Sequence, residues 1–88
     1  MEHKRTELYC GVGSSDKVYH ASFIEVEKNM FQVEFQYGKK YSHLSVSVKP
    51  PAPTSYQAAL KIYEDQIQKK LKKGYRITNQ FELNDKVR

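Results

Sequence analysis

One cysteine, three prolines and four glycines are spread over 88 residues, and the gaps narrow the possibilities. Cys10 alone cannot close an internal disulfide, so a reducing compartment is expected, the cytoplasm being the simplest choice. No apolar run is long enough for a secretory segment or a spanning helix, so no membrane partner is expected. His3, His20, His43 and the lone Cys10 are too scattered for a metal-ligand spacing, and no cofactor is expected. Gly11-Val12-Gly13 lacks the third glycine of a dinucleotide loop and leads into a strand rather than a helix. Ser14, His20 and Asp16 could be written as a serine–histidine–acid trio, but no nucleophile turn surrounds them. The expectation is a protein that is not an enzyme and takes no small-molecule substrate.

A chain of 10.3 kDa has room for a single domain. Folding should bury roughly 64% of its open-chain surface, enough for one two-layer core. Hydrophobic residues make up 39% and aromatics 12%, which argues for a folded chain rather than a disordered one. The formal charge is +5, with a pI near 9.3, which favours an anionic partner without naming it.

Hydrophobic periodicity divides the chain. The first two-thirds alternate with period two. Strands are predicted at Thr6 to Tyr9, Val18 to Glu27, Met30 to Tyr37 and His43 to Val48. Within the second, Tyr19, Ala21 and Phe23 share one face while Ile24 and Val26 fall on the other, which predicts a bulge or twist. Lys28-Asn29 is a hairpin turn, because asparagine tolerates positive φ. Phe31, Val33, Phe35 and Tyr37 against Gln32, Glu34 and Gln36 give the clearest strand signal. Pro50, Pro51 and Pro53 are expected to stop the sheet, since proline cannot donate to a ladder. Thr54 to Gln57 fits a capping box with Thr54 as the cap. A helix is predicted from about Ser55 to Lys73, ended by Gly74. Tyr56, Ala59, Leu60, Tyr63, Ile67 and Leu71 form its apolar stripe. In the tail, Ile77, Phe81 and Leu83 could add a strand or cap the core. The predicted class is α+β: an antiparallel sheet of three to five strands packed on one long C-terminal helix.

Two basic clusters stand out. Lys61, Lys69, Lys70, Lys72, Lys73 and Arg76 face only Glu64 and Asp65 in the same stretch. A solvated helix face explains much of that cluster, since Asp65 is four residues from both Lys61 and Lys69 and late lysines suit the helix dipole. Between Tyr37 and Lys49 there are Lys39, Lys40 and Lys49, two tyrosines and no acid. Ammonium groups offset phosphate charge and an exposed ring stacks on a base, the combination that single strands and strand ends require. Tyr37 could equally extend the core face of Phe31, Val33 and Phe35.

From about Glu7 to Tyr75 the sequence resembles a WGR domain, a module named for a Trp-Gly-Arg tripeptide and found in DNA-dependent poly(ADP-ribose) polymerases and in bacterial relatives of a molybdate metabolism regulator. Glu7-Leu8-Tyr9 followed by Gly13-Ser14-Ser15-Asp16-Lys17-Val18-Tyr19 is similar to the family's opening strand and turn. The segment from Phe31 to Lys40 resembles the strand that ends in Tyr-Gly-Arg among bacterial members. Thr54-Ser55-Tyr56 with Ala58-Ala59 resembles the helix start, and Lys69-Lys70-Leu71-Lys72-Lys73-Gly74-Tyr75 the helix end. The resemblance implies one domain over residues 1–88, with a core of about 7–75 and a tail of 76–88. It also implies nucleic-acid binding: in the polymerases the domain grips a DNA end, with the Trp against the terminal sugar. By position Tyr37 takes the aromatic role, Gly38 the close approach and Lys39 the cationic role. Lysine for arginine keeps the charge but loses the planar fork, and Tyr41 stands where relatives usually carry glycine.

The expected function is thus a non-catalytic nucleic-acid-binding module, DNA favoured, with ends or strand breaks as the target. Its expected site is Tyr37, Gly38, Lys39, Lys40, Tyr41, Lys72 and Lys73. The competing expectation is an interaction or regulatory domain whose basic surface meets an acidic protein.

Overall fold

The computed structural model describes residues 2–11 and 16–82. Along them run β1 (Glu2–Cys10), β2 (Lys17–Glu27), β3 (Met30–Lys39), β4 (Ser45–Thr54), α1 (Tyr56–Lys72) and β5 (Arg76–Glu82). The strands form one antiparallel sheet in the order β4-β3-β2-β1-β5. The helix crosses one face, over β2, β3 and β4, so the α+β class read from periodicity is the class observed. Because β4 and β5 lie at opposite edges, α1 also carries the chain from one side of the sheet to the other.

Strand alternation builds the core. Thr6 and Leu8 of β1, Tyr19, Ala21 and Phe23 of β2, and Phe31, Val33 and Phe35 of β3 are all buried, and α1 adds Ala59, Tyr63 and Ile67. Register places Leu8 against Tyr19, Ala21 against Phe35 and Phe23 against Val33, so large and small side chains interleave. Phe23 and Phe31 stack at 5.1 Å, and Tyr56 meets both edge-on at 5.2 Å. A polar contact crosses this layer: the Thr6 and Tyr63 hydroxyls are 2.7 Å apart, and Gln80 Nε2 donates to Thr6 Oγ1 at 3.3 Å. A fully buried hydroxyl is tolerated on those terms.

The hairpin expectation holds, with Asn29 at φ 63°. So does the irregularity in β2: the β2–β3 register shifts between Glu25 and Glu27 and leaves Val26 exposed. Other expectations need correction. The prolines do not end the sheet, because β4 continues through Pro50, Pro51 and Pro53 to Thr54. As an edge strand β4 pairs only with β3, and between Lys49 and Thr54 no residue of β4 has a partner in that register, so the missing proline amides remove no ladder bond. A register shift between Phe31 and Val33 absorbs the segment, and Gln32 Nε2 donates to the Pro50 carbonyl at 2.8 Å. Val46 and Val48 on this edge strand are exposed. The helix cap is Ser55, whose hydroxyl accepts from the Ala58 amide at 3.3 Å, and Thr54 belongs to β4. β1 begins at Glu2, well before Thr6. The ambiguous tail is a fifth strand paired with β1, while Leu83 lies outside the described residues.

Candidate nucleic-acid interface

The residues singled out in the sequence gather at one end of the sheet but on two different faces. β3 ends at Lys39, and alternation puts Tyr37 and Lys39 on the helix side and Gly38 on the other. The chain then turns, with the Ser42 amide donating to the Lys39 carbonyl at 3.1 Å.

On the helix side, Tyr37 is 40% exposed and stacks on its cross-strand partner Tyr19 at 5.8 Å and 22°. Tyr19 is buried beneath it, its hydroxyl accepting from Gln66 Nε2 at 3.0 Å. The end of α1 supplies the charge. Gly74 takes φ 104°, so its amide donates to Leu71 and the Tyr75 amide donates back to Lys70, each at 3.2 Å. That closure brings Tyr75 beside Lys70, whose Nζ lies 4.6 Å from the Tyr19 ring centre and 5.6 Å from that of Tyr75. Tyr19, Phe35, Tyr37, Ser47, Lys49, Gln66 and Lys70 line a cleft of about 220 Å³.

The electrostatics of this cleft are one-signed. Burial pushes the Lys70 ammonium below its usual range, and repulsion from Lys73, Lys69 and Lys17 adds to it. Lys17 stands directly opposite Lys39 in the β2–β3 register. Among the described residues, none of Lys17, Lys39, Lys49, Lys69, Lys70 and Lys73 has a carboxylate within ion-pair distance. By contrast Lys61, farther up the helix, pairs with Asp65 at 3.1 Å. Like charges gathered around a ring cost folding energy unless an anion joins them.

On the opposite face, Gly38 sits at φ 151°, and a Cβ there would come within 3.3 Å of Leu44 Cδ2. Close approach of backbone to side chain therefore explains this glycine. Lys40 turns its ammonium over two rings, 5.0 Å from the centre of Tyr9 and 5.2 Å from that of Tyr41. Arg76 of β5 lies 5.9 Å from the same Tyr9 ring. The Tyr9 hydroxyl donates to Asp16 at 2.6 Å, a bond that raises the phenol above its ordinary range.

Tyr37, Lys39 and Lys73 therefore belong with the cleft, and Gly38, Lys40 and Tyr41 with the other face; exposed Lys72 makes none of these contacts. Sequence reasoning missed Tyr19, Lys70, Lys17 and Tyr75 on the helix side, and Tyr9 and Arg76 on the other. Lys70 carried a legible signal: it follows Tyr63 by seven and Ile67 by three, which places a lysine in the buried stripe. Comparisons with protein-family models, with curated proteins and with solved structures find no match to this chain.

Proposed function

We propose that this chain is a non-catalytic nucleic-acid-binding module, acting on DNA ends or breaks, with the Tyr37 cleft as its principal contact. The observation that carries this reading is an exposed tyrosine stacked on a second ring, beside lysines that have no carboxylate within ion-pair distance among the described residues. A ring that is already supported from below offers its outer face to a base or sugar at little ordering cost. Unpaired ammonium groups on both sides would meet the phosphates that flank that base. The resemblance of Tyr37-Gly38-Lys39 to the WGR tripeptide points the same way, with Lys39 standing for the arginine.

Fluorescence anisotropy of labelled single-stranded, blunt and nicked DNA at low salt tests it. Lys49→Glu and Lys70→Glu should each weaken binding strongly, whereas Lys61→Glu, whose lysine is already paired with Asp65, should change it little. No binding to any of these DNAs, with stoichiometric capture of an acidic protein after nuclease treatment, would replace the reading with a protein-partner one.

A further inference from the structure

We propose that the face opposite the helix carries a second nucleotide site, built from Tyr41, Lys40, Tyr9 and Arg76, that receives the continuation of the same single strand after it rounds the end of the sheet. This rests on the nucleic-acid reading above, but different residues on a different face carry it.

Tyr41 is the first of those observations. It sits at φ 65°, a conformation that favours glycine, and its ring is 92% exposed. Burial gives nothing back for that backbone strain, so folding alone does not account for a tyrosine at this turn. The second observation is the arrangement around it. One ammonium reaches both the Tyr41 and Tyr9 rings, and a guanidinium lies over Tyr9 as well. Together with Glu7, Leu8, Val18, His20, Leu44 and Thr78 these residues line a groove of about 550 Å³.

Its hydrogen-bonding groups also suit a base. Arg5 Nη2 lies 3.2 Å from His20 Nδ1, and a guanidinium can only donate, so Nδ1 accepts and the neutral ring's proton sits on Nε2. That leaves a donor in the groove wall for a base carbonyl. Two carboxylates border the groove, and each already accepts a hydrogen bond: Glu7 in its wall from Arg5 Nε at 2.9 Å, and Asp16 from the Tyr9 hydroxyl. Rings, cations and a neutral donor fit a base joined to a phosphate better than a bare anion, which would need no rings. The two sites flank one short turn, since Tyr37 and Lys39 end β3 on one face and Lys40 and Tyr41 open the other.

The test compares labelled homopyrimidine strands of two lengths, roughly 4 and 12 nucleotides, the range of single-strand site sizes. Tyr41→Gly suits the fold, because glycine accepts the positive φ, and a cooperative melting transition checks that the variant is folded. It should weaken the long strand at least about fivefold, the smallest loss expected for one stacked base. The short strand, which the Tyr37 cleft can hold alone, should change by no more than about twofold. Lys40→Gln should make the salt dependence of long-strand binding shallower by about 0.7 in log–log slope. Unchanged long-strand affinity in folded Tyr41→Gly would overturn the second site and leave the proposed function standing. Failure of the unmodified protein to bind either strand would overturn the second site, and the proposed function with it only if blunt and nicked DNA also go unbound.

Discussion

Removing the Tyr37 ring should harm the fold and the binding by separable amounts. In Tyr37→Ala the fold loses one stacked pair, Tyr37 on Tyr19 at 5.8 Å. Such pairs are worth about 0.5–1.5 kcal/mol beyond area burial, and the ring is already 40% exposed. A total destabilisation of about 1–2 kcal/mol follows, read from urea melts followed by circular dichroism. Binding loses a base platform worth about 1–3 kcal/mol, which is roughly a 5-fold to 150-fold weaker Kd by anisotropy. Tyr37→Phe keeps the ring, and no hydrogen bond to the Tyr37 hydroxyl occurs among the described residues, so both quantities should stay within about 0.5 kcal/mol of the parent. Should Tyr37→Ala lower stability as expected yet leave the affinity within twofold, the ring merely packs. The aromatic half of the site would then be wrong.

Three further outcomes follow from the geometry. Tyr63→Phe removes one of the two partners of the buried Thr6 hydroxyl, leaving Gln80, and should cost about 1–2 kcal/mol, part of which Thr6→Val should restore in the double variant; strict additivity in that cycle would refute the coupling. Gly38→Ala adds a methyl group 3.3 Å from Leu44 at φ 151° and should destabilise by about 1–3 kcal/mol, whereas a neutral melt would mean the turn can relax. Stability should also fall with acid in two arms. Burial lowers the His20 pKa below 6.5, so its contribution is full above that value and fades as pH drops through the folded pKa. The Arg5 bond to Glu7 and the Asn29 amide bond to Glu25 lower both carboxyls below 4.5, so theirs fades at lower pH still. His20→Gln should flatten the upper arm alone in pH-dependent melts; an unchanged upper arm would show that His20 is not responsible.

Local signals made most of the fold legible. The alternation from Phe31 to Tyr37 marked β3, and the spacing of Ala59, Tyr63 and Ile67 marked the buried helix face. The errors arose where tertiary position overrides local rules. Pro50, Pro51 and Pro53 break a central strand but not an edge, and nothing local to β4 says that it is an edge. β5 carries weak periodicity and entirely exposed side chains, so its place depends on pairing with β1, far away in sequence. The candidate site was half legible for the same reason. Tyr37 and Lys39 could be read as neighbours, and so could Lys40 and Tyr41. That a turn sends the two pairs to opposite faces, toward Lys70 in one case and toward Tyr9 and Arg76 in the other, required the sheet.

The salt dependence of DNA binding tests the central claim most directly. If Lys39, Lys49 and Lys70 each meet one phosphate of a single strand, log affinity should fall against log salt with a slope near −2, about a 20-fold loss from 50 to 200 mM. Lys70→Gln should make that slope shallower by about 0.7. A flat salt response, or no binding at 50 mM, would contradict the account of the lysine-ringed cleft.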